Sequence, residues 1–102
     1  MWDEQFPGPT GYRPAIILTP NRLVPKLAHI TVVEVTSTEG PSSTHIQINC
    51  DAGLTGRDRS YANATMIHSL PKGRLRKHRG RLSAAELLQV EQAVCNYLAL
   101  QV

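Results

Sequence analysis

The sequence predicts a small α+β fold that is mostly β: about five strands in a barrel or sheet, followed by one helix that packs against them. Two apolar runs, Ala15–Leu18 and Ile30–Val35, are rich in the β-branched residues that favour strands. Thr44–Asn49 alternates polar and apolar residues, as a half-buried strand does. Ser83–Leu98 repeats apolar residues at helical spacing and is the clearest element of the chain.

The first two long strands are predicted to be antiparallel neighbours. Pro14 biases Arg13 towards an extended backbone, so Arg13 leads into a strand over Ala15–Thr19. The next strand covers His29–Val35 and ends in a Thr-Ser-Thr cluster that begins at Thr36. If the two strands pair, the start of one lies beside the end of the other. Arg13 and Thr36 are therefore expected to meet at one edge of the sheet.

Loops and the remaining extended segments follow from composition. Met1–Phe6 is either the remnant of a first strand or a tail, and Ser60–Leu70 is a further extended segment. Arg74–Leu82 is basic and has the character of a strand or a single turn. Segments rich in Pro, Gly, Ser or Asn predict surface loops at 7–11, 20–25, 39–43 and 51–59.

The C-terminal helix has a recognisable start. Ser83 and Glu86 form a capping-box pattern, in which the Ser hydroxyl accepts from an early backbone N–H and the Glu side chain reaches back. About four turns follow from the spacing of the apolar residues. These residues are Leu87, Val90, Val94, Tyr97 and Leu98.

Length and composition fit one soluble domain spanning residues 1–102. A hydrophobic content of 41% and a charged content of 19% exclude wholesale disorder. No window has the apolar length of a membrane span, and the N-terminus lacks the features of a secretory signal. Cys50 and Cys95 show no metal-ligand spacing, so we expect a cytoplasmic protein with buried cysteines and no metal site.

Positive charge is concentrated near the C-terminal helix, although the formal net charge is only +3. A basic cluster of this kind suits a polyanion such as RNA or DNA. The alternative is a solvated segment whose charges serve solubility. The cluster consists of Lys72, Arg74, Arg76, Lys77, Arg79 and Arg81, with Arg57 and Arg59 upstream.

Arg13 is the strongest candidate for chemistry. The sequence has no paired carboxylates, no Ser/His/Asp pattern and no phosphate-binding glycine loop. An extended Arg after a glycine-bearing loop can bind phosphate through two parallel N–H groups, although it can equally pair with a carboxylate such as Glu34. The histidines are isolated: His29 and His45 are expected to face solvent, and those near the basic cluster are better placed for nucleic acid.

Four motifs resemble those of the MazF/PemK toxins, a family of sequence-specific endoribonucleases. The first is GYRPAIILTP at 11–20, similar to the family's RPAVVLS-type strand, and the second is VVEVTST at 32–38, similar to the strand that ends in a catalytic Thr. The third is DAGL at 51–54, which resembles a GL-containing loop. The fourth spans 66–100 and is similar to the family's ending, I–L–RL–GRLS–EL–AL–L.

The resemblance implies an SH3-like small β-barrel with a C-terminal helix, and a homodimer whose groove binds single-stranded RNA. It also implies cleavage without metal or cofactor, leaving a 2′,3′-cyclic phosphate and a 5′-hydroxyl, and a cognate antitoxin as partner. Arg13 matches the family's catalytic Arg, and Thr36 matches its catalytic Thr. The residues expected to contact RNA are Tyr12, Ser37, Thr65, His68 and Arg79.

The chain departs from the family pattern at three places. Only Met1-Trp2 stands where the family has a basic residue and GDIW, so the first strand is expected to be shortened or to start upstream. The acidic loop before the Arg is replaced by Pro7–Gly11, and the D/E-Q-I-R stretch reads Thr65–His68. The last two changes fall where such toxins contact bases, so a recognition sequence does not transfer.

Two other functions remain open at the level of sequence. A CcdB-like protein with the same fold would inhibit DNA gyrase without being an enzyme, acting through the end of its C-terminal helix. A small nucleic-acid-binding module would use the basic cluster and would bind in a salt-sensitive way without cleavage. Arg13 and Thr36 favour the ribonuclease over both alternatives.

Overall fold

One antiparallel sheet and one helix make up the part of the chain that the computed structural model describes, which is residues 2–5, 12–48, 59–78 and 82–100. At residues 2–5, 12–13 and 76–78 the description covers the backbone. The strands are β1 (Trp2–Gln5), β2 (Tyr12–Ile17), β3 (His29–Thr36), β4 (His45–Ile48), β5 (Ser60–Pro71) and β6 (Leu75–His78), and the helix is α1 (Ala84–Tyr97). Short 3₁₀ turns lie at Val24–Lys26 and Lys72–Arg74.

The six strands follow the order β4-β5-β3-β2-β1-β6, and every neighbouring pair is antiparallel. Together with the C-terminal helix this confirms the predicted α+β fold. Among the described strands, β4 and β6 each pair on one side and form the two edges. The sheet is thus open, whereas the family resemblance implied a closed barrel.

The strands β2 and β3 pair as expected, with Ala15 opposite Glu34 and Ile17 opposite Val32. β2 begins before the predicted start, because the extended backbone that Pro14 imposes already pairs with β1. At the other end the ladder continues through side chains. The Thr31 N–H donates to the Thr19 hydroxyl at 2.9 Å, which satisfies a backbone donor beyond the end of the strand.

The long strand β5 links β3 to β4 and is interrupted by a bulge. The partner of Val33 is Ile67, but the partner of the next residue, Glu34, is Asn63. Three residues of β5, Ala64–Met66, are therefore inserted at this point. The Asn63 side-chain oxygen accepts from both the N–H and the hydroxyl of Thr65, at 3.0 and 2.6 Å, and so stabilises the bulge.

Both faces of the central strands are buried, as the continuous apolar runs predict. On the face covered by α1, Ile16, Val33 and Val35 pack with Val90 and Val94. The opposite face, called the far face from here on, carries a second apolar cluster of Ala15, Ile30, Val32 and Leu70. Away from the bulge, pairing and alternation assign the residues of β2 and β3 to one of these two faces.

The helix α1 begins as predicted and ends in a Schellman motif. Ser83 and Glu86 form the capping box, with hydrogen bonds of 2.9 and 3.1 Å. At the other end Leu100 N–H donates to the Cys95 carbonyl, and Ala99 has a positive φ of 55°. The apolar face is shorter than predicted. Tyr97 and Leu98 are 50% and 48% exposed, because the chain turns away from the sheet here.

Several predicted features lie outside the described residues: the loops at 7–11 and 51–58, the cysteine at 50 and the arginine at 79. Cys95, the other cysteine, is a half-buried free thiol. Within the described segments, α1 is too short to cross a membrane and no other helix is long or apolar enough to do so.

Candidate active site

The backbone register brings the positions of Arg13 and Thr36 together at one end of the β2–β3 pair. The ladder is recorded as far as Ala15 opposite Glu34, and two more residues in the same register set Arg13 opposite Thr36. Each residue is also held from its other side. In the backbone ladders, Arg13 stands opposite Glu4 of β1, and Thr36 stands opposite Tyr61 of β5.

Both positions belong to the far face of the sheet. Position 13 alternates with Ala15 and Ile17, and Thr36 alternates with Glu34 and Val32 on the same face. The helix covers the opposite face, so it does not obstruct this end of the two strands. The strand order and the recorded part of the register are consistent with the expected approach of Arg13 and Thr36 at the ends of these two strands.

The Thr36 hydroxyl is oriented by the turn that follows β3. Its oxygen accepts from the Thr38 N–H at 3.1 Å, as in a turn capped by a threonine side chain. This contact uses an acceptor site of the hydroxyl, so the O–H proton can be donated to a ligand. Thr36 is half-buried and Ser37 beside it is exposed. An oriented hydroxyl that retains its proton suits an anionic oxygen.

A buried carboxylate lies next to this end of the sheet. The Glu34 carboxylate accepts from, or pairs with, His68 Nε2 at 3.1 Å, and the two side chains are 12% and 30% exposed. Glu34 was the alternative partner expected for Arg13. In the register it stands opposite Ala15, and its carboxylate lies against His68. The pair places an imidazole on the far face beside the candidate site.

The other predicted RNA-contacting residues lie on different strands and loops around this end of the sheet. Tyr12 opens β2, opposite Gln5, and Ser37 follows the end of β3. Thr65 lies within the β5 bulge, where Asn63 holds it, and His68 lies further along β5, opposite Val32. Arg79, as noted, falls outside the described part of the chain.

The basic cluster has mixed roles. The Lys72 ammonium donates a hydrogen bond to the Val24 carbonyl at 2.9 Å. This contact connects the two 3₁₀ turns, so Lys72 has a structural role. Arg76 and Lys77 belong to β6, an edge strand beside β1. The backbone thus carries part of the cluster along the edge of the sheet nearer to Arg13.

Tyr61 and Gln47, which the sequence alone does not identify as candidates, extend the candidate site across the sheet. Tyr61 pairs with Thr36 on one side and with Gln47 on the other. His29 is exposed as expected, and His45 is half-buried, with its ring packed against Gly40. The sequence alternation identified β4 correctly, yet only the strand order shows that its polar residues line up with Thr36.

Metal ligation was also considered. Among the residues that the structure describes, no group of three or more His, Cys, Asp or Glu side chains is arranged to hold a metal ion. What the candidate site offers is an Arg position, an oriented hydroxyl and a neighbouring imidazole. Guanidinium and hydroxyl donors of this kind are suited to a phosphate group.

Comparison with solved structures shows the same fold in toxins. The toxin MazF-mt6 of Mycobacterium tuberculosis is 24% identical, with a TM-score of 0.87, covering 99% of this chain and 97% of the other. An endoribonuclease in complex with its cognate antitoxin, from a mycobacterial species, is 24% identical with a TM-score of 0.84, covering 99% and 92%. The MazE–MazF complex of Deinococcus radiodurans (Form II) is 21% identical with a TM-score of 0.78, covering 97% and 90%.

Sequence comparison identifies the family. No curated protein gives a significant match. The family profile described as "PemK-like, MazF-like toxin of type II toxin-antitoxin system" matches residues 3–98, nearly the full length of the chain. The resemblance seen in the four sequence motifs is therefore confirmed, and the chain belongs to the PemK-like, MazF-like toxins of type II toxin–antitoxin systems.

Proposed function

We propose that this toxin is a sequence-specific endoribonuclease that cleaves single-stranded RNA without a metal ion, leaving a 2′,3′-cyclic phosphate and a 5′-hydroxyl. The observation that supports the proposal is the antiparallel pairing of β2 and β3, in which Ala15 stands opposite Glu34; continued by two residues, this register puts position 13 across from Thr36. Membership of the toxin family supports the same assignment for these two residues.

RNA supplies the nucleophile of the proposed reaction. The 2′-oxygen attacks the adjacent phosphorus, the bond from phosphorus to the 5′-oxygen breaks, and the proton lost by the 2′-hydroxyl is balanced by one gained at the 5′-oxygen. The enzyme needs to align these atoms and stabilise the extra negative charge on the phosphorane. Arg13 is assigned to that charge, because a guanidinium keeps its proton at neutral pH and is therefore a poor general base.

Thr36 is assigned to one non-bridging phosphate oxygen. Its hydroxyl oxygen is already held by the Thr38 N–H, so the O–H can donate without first losing much conformational freedom. Because Arg13 and Thr36 approach from adjacent strands, about 4.8 Å apart, they can contact two oxygens of the same phosphate. No protein nucleophile and no covalent intermediate with the enzyme are required.

The proposal is tested by incubating the purified chain with total RNA in the presence of a chelator and sequencing the new 5′-hydroxyl ends. Arg13→Ala should lower the cleavage rate about 100-fold or more, the cost of losing one donor to a transition-state charge. Thr36→Val should lower it about 10- to 100-fold, the cost of a hydrogen bond to a charged group. Arg22→Ala, at an exposed arginine in a turn, and Thr31→Val, on the helix-covered face, are matched controls expected to cleave normally.

Each remaining result would count against the ribonuclease. Full activity in both site variants would remove the assignment of Arg13 and Thr36. Salt-sensitive RNA binding with no cleavage would favour a binding module. Inhibition of DNA gyrase supercoiling with RNA left intact would favour a CcdB-like inhibitor. Circular dichroism of each variant separates loss of activity from loss of folding.

The proposed partners are a second copy of the chain and a cognate antitoxin. Two of the structural relatives are complexes of a toxin or endoribonuclease with its antitoxin, which supports such a partner here. An antitoxin with an acidic, disordered tail would complement the positive charge of this chain, which is formally +3. The proposed antitoxin is tested by searching the DNA beside this gene for a short reading frame that encodes such a protein.

A further inference from the structure

An open pocket of about 420 Å³ lies at the β4 edge of the sheet, beyond the candidate active site. Its volume falls in the range of about 300–1,000 Å³ that is usual for small-ligand pockets. Its lining combines apolar surface with several polar groups, namely an imidazole, two amides, a guanidinium, a carboxylate and a phenol. These groups belong to His45, Gln47, Gln89, Arg59, Glu39 and Tyr61.

The pocket is connected to the candidate active site by the pairing of the strands. Thr36 of β3 stands opposite Tyr61 of β5, and Tyr61 stands opposite Gln47 of β4, all on the far face. The row therefore leads from the proposed phosphate site into the pocket over two strand spacings, roughly 10 Å. A chain of nucleotides whose phosphate lay at Thr36 could extend a base into this pocket.

The His45 ring is held in one orientation. The Thr44 hydroxyl lies 3.2 Å from the Pro41 carbonyl and 2.8 Å from His45 Nδ1. The contact at Nδ1 orients the imidazole and does not use its other nitrogen, Nε2. The backbone N–H of His45 also donates to Pro41, at 2.9 Å, which fixes the base of the side chain.

Gly40 makes room for this ring. A Cβ built on Gly40 would lie 2.5 Å from His45 Cε1 and 2.6 Å from Nδ1, closer than any side chain tolerates. The imidazole thus packs directly on the glycine backbone, and a larger residue would displace it. A ring fixed by a glycine below it and by a hydroxyl at one nitrogen is preorganised for a ligand.

We propose that this pocket binds the nucleobase of a nucleotide next to the cleaved bond and so contributes to sequence choice. The inference rests on the proposed ribonuclease activity. An amide such as that of Gln47 can pair with two edge atoms of adenine, and the His45 imidazole beside it can form a further hydrogen bond to the base edge. Arg59, exposed at the rim, can contact a flanking phosphate. Adenine is therefore the expected occupant.

Binding is measured directly by NMR. Each of AMP, CMP, GMP and UMP is titrated into isotope-labelled full-length protein, and the Gln47 side-chain amide and the His45 ring are followed. Saturable shifts at both residues are expected with AMP. Gly40→Ala should weaken binding about tenfold at both probes, and Gln47→Ala should weaken it about tenfold as followed at the His45 ring. The amide of Gln92, exposed on α1 away from the pocket, is an internal control that should not move.

Cleavage preference gives the second measurement. Sequenced ends from total RNA should show that Gln47→Ala and Gly40→Ala lose about tenfold of the base preference at one position near the cut, while preferences elsewhere and the end chemistry persist. Gln92→Ala and His29→Ala are matched controls for an exposed glutamine and histidine.

The two measurements separate the inference from the activity on which it rests. If none of the four nucleotides shifts Gln47 or His45, the pocket is not a base site, even where the enzyme cuts RNA. Shifts produced by an acidic peptide alone would overturn it in favour of a protein partner. If the nucleotides bind but no RNA is cut, the ribonuclease assignment fails and the base site stands.

Discussion

Ser60 carries a hydroxyl that folding buries without a partner. The residue is 3% exposed at the start of β5, opposite Ile48, and its Oγ has no hydrogen-bond partner among the residues that the structure describes. A buried, unsatisfied hydroxyl costs about 1–3 kcal/mol of stability. We therefore expect Ser60→Ala to leave the free energy of unfolding unchanged or to raise it by about 1 kcal/mol, measured by urea denaturation.

Ser69 provides the matched control, because it lies on the same strand but is exposed. Ser69→Ala should change stability by less than about 0.5 kcal/mol, as surface substitutions usually do. A loss of more than 1 kcal/mol in Ser60→Ala alone would mean that the hydroxyl has a partner in solution.

The pair formed by Glu34 and His68 affects the same end of the sheet electrostatically. A carboxylate two residues from Thr36 on the same face would repel a phosphate bound there. An imidazole at 3.1 Å offsets that repulsion whenever it carries a proton, and otherwise gives the carboxylate a hydrogen bond. The contact with His68 therefore reduces the repulsion that the Glu34 carboxylate would exert on a phosphate bound at Thr36.

At the scale of the elements, the residue that ends α1 is not the most stabilising one for its backbone conformation. The Schellman motif sets Ala99 at φ 55°, where a Cβ costs about 1–2 kcal/mol and glycine costs nothing. The added backbone entropy of a glycine in the unfolded chain offsets part of that gain. Ala99→Gly should accordingly raise stability by about 0.5–1 kcal/mol, seen as a thermal midpoint several degrees higher.

Ala85→Gly is the control for this change. Ala85 is exposed within the first turn of α1, where the backbone is helical. The same substitution should lower stability there by up to about 1 kcal/mol, because glycine is the poorer helix former. Equal effects at the two positions would show that the positive φ of Ala99 is not maintained in solution.

The sequence was sufficient for the elements whose pattern is local. The capping box of α1, the alternation of β4 and the apolar runs of β2 and β3 all lie where their patterns predicted. The short strands β1 and β6 were uncertain, because four residues carry too little periodicity to separate a strand from a tail or turn.

The candidate site was predictable only in part, for a related reason. Pro14 fixes the backbone of Arg13 locally, and the pairing of two adjacent strands was enough to bring it near Thr36. The alignment of Gln47 with Thr36 depends on β5 lying between β3 and β4, and β5 comes later in the chain than either. The packing of His45 on Gly40 likewise arises only once the turn has folded.

At the scale of the whole molecule, the edges of the sheet differ in character. The β6 edge carries Arg76 and Lys77, and the β4 edge carries the polar pocket with Gln47. The strands between them hold the proposed phosphate site. RNA drawn towards the basic edge by its backbone charge could thus cross the far face and be read at the opposite edge.

We expect the protein to form a homodimer in solution, and light scattering coupled to size-exclusion chromatography tests this. The chain has a mass of 11.2 kDa, so the eluted species should have twice that mass. The protein should be treated with nuclease first, because a basic cluster can bridge two chains through bound RNA. Raising the salt to about 1 M shortens electrostatic screening to roughly 3 Å and dissociates such bridges, whereas an apolar interface persists. A mass of one chain under both conditions would contradict the dimer and require each monomer to bind RNA alone.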